Sequence, residues 1–296
     1  DRLRSRGLGD VYKRQLIGNP VAHSISPVIH NRLAGLRGDN LVYATFKVEA
    51  GNVAAAVKGA YALDILGLNV TVPHKQAVID ELVDIDELAA AIGAVNTLVR
   101  TEGGFKGYNT DILGLDRELS DVGISLEDKC VVIIGAGGAA RAIAFLCAGK
   151  KASEIYIMNR TLEKAQNIAD AVNEYAKKDI AKAAGISECG SFDKKDYIVI
   201  QTTSVGLHPH DDETAVTADE FYENAAAGVD IIYNPYETMF MKLMKKHGKP
   251  AYNGLKMLLY QGVAAYELWN DCKISSDMAD IISVSYTHLT LPTICS

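Results

Sequence analysis

CVVIIGAGGAAR, from Cys130 to Arg141, is a β-branched run followed at once by a glycine loop and a small-residue stretch that continues to Gly149. Cys130 to Ile134 has the composition of a buried strand. The loop then opens a helix, and strand, glycine loop and helix together give a glycine pattern its meaning. In that context Gly135 makes the tight turn and Gly137 lets the backbone approach a pyrophosphate. Gly138 and Ala139 begin a helix whose amides and positive dipole face the phosphates. The competing reading is a tight turn that holds no ligand. Val131 to Gly149 is also long enough to suggest a membrane span, but Arg141 and four glycines interrupt it.

The next strand, Glu154 to Met158, bears on the cofactor. A strand that serves NAD usually ends in a carboxylate for the adenosine ribose hydroxyls. This one ends Asn159-Arg160-Thr161. Arg160 offers a planar cation to a 2′-phosphate or to adenine, and Asn159 and Thr161 add neutral donors. The pattern favours NADP over NAD. Thr161 can also serve as the N-cap of the following helix without occupying Arg160.

Further out, strands and helices alternate. Leu41 to Val48, Leu66 to Pro73, Tyr197 to Gln201 and Val229 to Tyr233 read as strands. Ala94 to Thr101 and Phe105 to Tyr108 read as a hairpin. Ile112, Leu115, Leu119 and Val122 mark one helix face, and Ala165, Ile168, Ala169, Val172 and Tyr175 another. A last helix runs from Leu255 to about Trp269. This order implies α/β architecture with parallel strands. The length of 296 residues suggests two domains.

Net charge is −7, which argues against a general nucleic-acid binder. The five cysteines, Cys130, Cys147, Cys189, Cys272 and Cys295, show no metal-ligand or C-x-x-C spacing. A reduced, cytoplasmic chain without a metal site is expected, with a small-molecule substrate and neither nucleic acid nor membrane as partner. Asp1 to Gln15 and Val284 to Ser296 lack any period that continues their neighbours. Both read as non-native flanks, and Lys13, Arg14 and Gln15 suggest a shortened first strand.

Three segments are unusually polar: Asn19 to Pro27, Asn69 to Lys75, and Gly93 to Thr97 with Gly107 to Asp111 shortly after. Singly, each is consistent with turns and caps. Gathered before a dinucleotide loop, they favour a polyhydroxylated substrate. Here the residues carry a resemblance. Ser24-x-Ser26-Pro27, NVTVPHK (Asn69 to Lys75), GAVNT (Gly93 to Thr97), NTD (Asn109 to Asp111) and GAGGAAR resemble the shikimate dehydrogenase family. So do Asn159-Arg160-Thr161, Tyr233-Asn234-Pro235, and Asn253-Gly254 leading to Met257 and Gln261. The resemblance spans about Leu16 to Ile282.

It implies NADPH-dependent, reversible reduction of 3-dehydroshikimate to shikimate, in chorismate and aromatic amino-acid biosynthesis. It implies a catalytic pair, Lys75 and Asp111, with the Lys75 ammonium donating a proton to the developing alkoxide and Asp111 orienting it. Without the resemblance, Lys75 reads as a surface lysine and Asp111 as a helix N-cap. Ser24 and Ser26, with Tyr233, are implied as carboxylate binders, and Asn69, Thr71, Asn96 and Gln261 as partners of the ring hydroxyls. Thr203, Ile231 and Gly254 match positions near the nicotinamide. Where the family has N-A-T-S, this chain reads Gln201-Thr202-Thr203-Ser204. The expected fold is two α/β domains with the site in the cleft between them. One is an N-terminal substrate-binding domain (16–111, completed by 247–283). The other is a Rossmann-type doubly wound dinucleotide-binding domain (112–246). The alternatives are a quinate/shikimate dehydrogenase using NAD, or a non-catalytic ligand sensor of the same fold. Monomer and homodimer are both open.

Overall fold

A computed structural model describes residues 12–22 and 24–290. It divides into two compact units, one from the chain up to Thr110 together with Leu259 onward, the other from Asp111 to Leu258. The sequence reading put the second division after residue 246. The difference has a simple cause: Ala251–Asn253 pairs in parallel with Ala225–Asp230, which keeps that segment in the second unit.

The first unit contains β1 (Tyr12–Gly18), α1 (Ser26–Arg37), β2 (Leu41–Lys47), α2 (Val53–Ala62), β3 (Gly67–Val70), β4 (Asp84–Ile85), α3 (Glu87–Ile92), β5 (Thr97–Thr101) and β6 (Gly104–Tyr108). Among the described residues its sheet has the order β2-β1-β3-β5-β6-β4. β1 pairs in parallel with both β2 and β3, and β4 with β6, whereas β5 runs antiparallel to its neighbours β3 and β6, so the sheet is mixed. Neighbouring side chains on β1 point to opposite faces. Leu16 accordingly joins one core with Ile29, Leu33, Tyr43 and Trp269, and Ile17 joins another with Val57, Leu68 and Phe105. The sheet is therefore buried on both sides.

The second unit contains α4 (Asp111–Asp121), β7 (Cys130–Ile134), α5 (Gly138–Gly149), β8 (Glu154–Asn159), α6 (Leu162–Ala176), β9 (Ala181–Gly185), β10 (Tyr197–Gln201), α7 (Asp219–Asn224), β11 (Ala225–Asp230), α8 (Met239–Lys246) and β12 (Ala251–Asn253). Two more helices follow, α9 (Leu255–Asn270) and α10 (Ser276–Thr290). Among the described residues the sheet order is β9-β8-β7-β10-β11-β12, with every pairing parallel. Counting β7 as first, this is the doubly wound 3-2-1-4-5-6 order of dinucleotide-binding domains. Val131, Val132, Ile133 and Ile134 are all fully buried, as a central parallel strand covered on both faces requires.

Several expectations need correction. β1 is not shortened. It includes Lys13, Arg14 and Gln15, because the backbone ladders to β2 and β3 set its length whatever the side chains. Arg14 is buried there, donating to the Trp269 carbonyl at 3.3 Å with its guanidinium over the Trp269 ring. α10 continues through 284–290, a stretch read as lacking helical continuation. The remaining flanks, 1–11 and 291–296, lie outside the described residues. The strand expected at Val229 to Tyr233 is instead Ala225–Asp230. Tyr175, expected on the buried face of α6, is 44% exposed, with its ring 5.2 Å from that of Phe145. Among the described residues no helix is long and apolar enough to cross a membrane.

Glu118, on α4, is buried, and its Oε2 accepts a hydrogen bond from the Met257 amide at 3.1 Å, in the first turn of α9. Burial pushes its carboxyl up to about 8 from an ordinary 4.5. The folded state thus holds the proton more tightly than the unfolded chain. The group's contribution to stability is complete below pH 4.5 and is lost as pH rises through about 8. Glu118→Gln keeps the acceptor and removes the titration. Thermal melts across this range should show the variant level with the parent at the acid end and more stable at the alkaline end.

Candidate active site

In the first unit, hydrogen bonds between backbone segments bring the separate polar motifs together. The Val70 amide donates to the Asn96 carbonyl at 2.8 Å, the Val95 amide to the Lys75 carbonyl at 2.8 Å, and the Asn96 amide to the Tyr108 carbonyl at 3.0 Å. Segments 69–75, 95–97 and 108–110 are therefore neighbours at one end of the sheet. The Asn19 amide donates to the Val72 carbonyl at 3.0 Å, which ties the loop after β1 to the same place. That loop packs so tightly that a Cβ on Gly18 would stand 2.3 Å from Thr71 Cγ2. Ser24 and Ser26 lie where this loop enters α1, with their hydroxyls 3.2 Å apart. Gln261 is on α9, and its neighbour Gly262 faces Ile29 of α1 closely enough that a Cβ there would lie 3.2 Å from Ile29 Cγ2.

Asn69 and Asn96 are 7% and 3% exposed, and neither amide can turn freely. Asn69 Oδ1 accepts from the Tyr43 hydroxyl at 2.7 Å, while its Nδ2 donates to the Asn96 carbonyl at 3.2 Å and to Thr97 Oγ1 at 3.0 Å. Asn96 Oδ1 accepts from the Thr110 amide at 2.7 Å and from the hydroxyls of Thr97 and Thr110, both at 3.1 Å. This identifies Oδ1 of Asn96 as an acceptor occupied by the protein and Nδ2 as its donor. His30 stacks on Tyr43 with ring centroids 4.2 Å apart and supports that ring. Burial pushes the His30 imidazole down to about 3, so it is neutral. Lys75 is half-buried, directly after this network in the chain.

In the second unit, the loops meet at the point where strand order reverses. Gly135 has φ +112°, and a Cβ there would stand 2.6 Å from Thr202 Oγ1. Only glycine satisfies both conditions. Thr202 is fixed by its amide and hydroxyl, which donate to the Ile134 carbonyl at 2.9 and 2.7 Å. Gly137 and Gly138 have open space where a Cβ would be, and Gly137 is the N-cap of α5 with no side chain capping the helix. Backbone amides at this end are thus available to an anion. Asn159 ends β8 and its Nδ2 donates to the Thr161 carbonyl at 2.9 Å, while Arg160 is exposed. Thr161 occupies the N-cap position of α6 but makes no side-chain cap bond, so the capping role expected for its hydroxyl is not used. Thr203 Oγ1 accepts from the Val205 amide at 3.2 Å. Gly254 fits against Ile231 so closely that a Cβ would stand 2.2 Å from the Ile231 carbonyl oxygen. Tyr233 lies in the loop after β11, and burial pushes its phenol up.

Seven of the nine expected catalytic and substrate residues therefore belong to the first unit. Asp111, the first residue of α4, and Tyr233 belong to the second with all the cofactor-side residues. Tyr43, Thr97 and Thr110 hold the two asparagines and were not singled out from sequence. Thr97 and Thr110 lie inside the GAVNT and NTD motifs, but Tyr43 reads locally as an ordinary strand residue.

The fold and site define an α/β dehydrogenase with a dinucleotide-binding unit and a separate unit rich in neutral polar groups. A family profile described as "Shikimate dehydrogenase substrate binding domain" matches residues 16–98, and another, "Shikimate / quinate 5-dehydrogenase", matches residues 118–208. Shikimate dehydrogenase (NADP(+)) of Methanothermobacter thermautotrophicus is 41% identical over 88% of this chain and 92% of its own. The enzyme of the same name from Moorella thermoacetica is 42% identical over 86% of each. A crystal structure of shikimate dehydrogenase in complex with NADP+ is 38% identical at a TM-score of 0.85, covering 93% of this chain and 96% of that one. The chain belongs to the shikimate dehydrogenase family.

The geometry makes Tyr43→Phe informative. It leaves Asn69 Oδ1 buried without its phenol donor, at a cost of about 1–3 kcal/mol. Calorimetry should show a lower melting temperature, and substrate titrations a weaker complex. Unchanged substrate affinity would mean that Asn69 needs no orientation by Tyr43.

Proposed function

We propose that this protein catalyses the reversible NADPH-dependent reduction of 3-dehydroshikimate to shikimate. The observation that carries the reading is the buried network around Asn69 and Asn96. It spends hydroxyls and amides, without any charge, on fixing two further amides beside Lys75. A hydrophobic core has no need of such a network, whereas a ligand with several ring hydroxyls does.

The second unit fits a dinucleotide. Gly135 leaves no room for a side chain, Gly137 and Gly138 leave the backbone open, and the end of α5 carries no capping side chain to displace. Gly135, Gly137, Gly138 and Ala139 would hold the pyrophosphate. Asn159, Arg160 and Thr161 would hold the adenosine 2′-phosphate, and Thr203, Ile231 and Gly254 would line the nicotinamide. When bound, NADPH supplies the hydride that reduces the carbonyl.

In this reading Lys75 donates a proton to the carbonyl oxygen and stabilises the negative charge that develops on it. Asp111 accepts from a substrate hydroxyl. Ser24 and Ser26 donate to the substrate carboxylate together with Tyr233, and Asn69, Thr71, Asn96 and Gln261 bond the ring hydroxyls. Neutral donors suffice for the carboxylate because hydroxyls give directional bonds without a second charge to desolvate. The four cysteines among the described residues are free thiols. That suits a reducing compartment such as the cytoplasm.

A matrix of shikimate and quinate against NADP and NAD tests the whole reading. Shikimate with NADP should give the highest kcat/KM. Faster quinate oxidation with NAD would replace it with the quinate/shikimate alternative, and no turnover at any pH would favour a ligand sensor. Lys75→Ala should lower kcat far more than it raises KM. Arg160→Leu should raise the KM for NADP by about 10–100-fold, the loss of one charge-assisted contact. The KM for NAD should stay unchanged.

A further inference from the structure

Asp230, the last residue of β11, is a carboxylate with no solvent exposure. It faces only donors. Its Oδ2 accepts from the Thr238 hydroxyl at 2.7 Å, and its Oδ1 from the Ile232 amide at 3.0 Å and from Gln201 Nε2 at 3.3 Å. Thr238 and Ile232 are the two ends of the loop that follows β11 and carries Tyr233. Gln201 in turn grips the loop that follows β10: its Nε2 donates to the carbonyls of Thr203 and Val205, and its Oε1 accepts from the Thr203 amide at 2.5 Å. One buried carboxylate therefore fastens both loops, directly on one side and through Gln201 on the other. No other charged group is needed for this arrangement, and none of the substrate or cofactor roles above uses Asp230.

We propose that Asp230 is a positioning residue for cofactor binding: its buried carboxyl group holds the 202–206 and 231–238 loops in the form that accepts the nicotinamide end of the cofactor. The inference rests on the assignment of Thr203 and Ile231 to that end.

The form of the network sets its response to protons. The carboxylate accepts from three donors, and when it is protonated its proton can be donated to Thr238 Oγ1, a hydroxyl that also accepts, so the cluster stays connected. Burial pushes the Asp230 carboxyl up to about 6 from an ordinary 3.8, so the closed network binds the proton more tightly than a solvated carboxyl does, and the loops hold more firmly as pH falls through 6. The Tyr222 phenol on α7 feels the Asp230 charge; burial pushes it up to about 12 and keeps it neutral throughout this range. Beyond it, His247 stacks on Tyr222 and pairs with Asp219 at 3.0 Å. On α8, Phe240 and Met241 are buried apolar residues of this unit's core.

The test compares the full-length parent, Asp230→Asn and Asp230→Ala. NADP+ affinity is measured by calorimetry without substrate, from pH 5 to 8, and hydrogen exchange in segments 202–206 and 231–238 is followed in the free protein. The 2′-phosphate titrates in the same range, but it contributes equally to every protein, so the difference between profiles is what counts. In the parent, affinity relative to Asp230→Asn should rise by up to about tenfold as pH drops through 6, which corresponds to one unit of proton linkage. Loop protection, taken as a ratio to the intrinsic exchange rate at each pH, should rise at acid pH in the parent only. Asp230→Ala should raise the KM for NADP more than it lowers kcat, with both loops exchanging faster at every pH. Parallel profiles for the parent and Asp230→Asn would overturn the proposal. So would a variant that melts lower yet keeps parental cofactor affinity and loop protection. Exchange is read without any ligand, so a failure of the shikimate or NADP assignment leaves this test standing.

Discussion

The contact between the loops after β7 and β10 is the constraint around which the second unit is arranged. The strand order reverses there, so successive crossovers leave toward opposite faces and the two loops part above the sheet. They part only after a close approach: a Cβ on Gly135 would meet Thr202 Oγ1 at 2.6 Å and Thr203 Cγ2 at 3.0 Å. Thr202 cannot retreat, because it is bonded twice to Ile134. The burden falls on residue 135, which must be glycine for space and for its positive φ. The same solution recurs where Gly254 meets the Ile231 backbone. Missing side chains at these points let neighbouring segments approach closely, and both glycine amides donate to backbone carbonyls, Gly135 to Met158 and Gly254 to Ile232.

The first unit solves the opposite problem. The groups proposed to meet the ligand are side-chain amides and hydroxyls, which are useful only if each presents a defined end. The hydrogen bonds from Tyr43, Thr97 and Thr110 supply that definition. All of these groups are neutral, so burying them costs far less than burying ions. A chain with a net charge of −7 can in this way receive an anionic ligand through local donors.

How much of this is legible in the sequence varies with the reach of the interaction involved. β7 and β10 have the bounds expected, since a strand covered on both faces must be apolar at every position. β11 was misplaced because Ala225–Asp230 is a run of small residues with no β-branched signal except Val229. Its glycine is imposed from elsewhere: a Cβ on Gly228 would stand 2.8 Å from Phe240 Cζ. β1 was underestimated for the converse reason, since a ladder on each side outweighs three polar side chains. The motifs proposed to form the site could be read because each is a short local run of sequence. The role of Tyr43 could not, since its partner Asn69 lies 26 positions along the chain, nor could the bond that joins Gln201 to Asp230 across 29 positions.

The two units should therefore tolerate change in different ways. Around Gly135 and Gly254 the danger is an added atom, because the facing groups are backbone or doubly bonded and cannot yield. Around Asn69 and Asn96 the danger is a lost atom, because each donor or acceptor removed strands a buried partner. Asp230 combines both hazards. It is enclosed like the glycines and bonded like the asparagines, and it differs from both in carrying a charge that solution pH can remove. A substitution at that one position can be isosteric and still alter the network, which separates the effect of its charge from the effect of its shape.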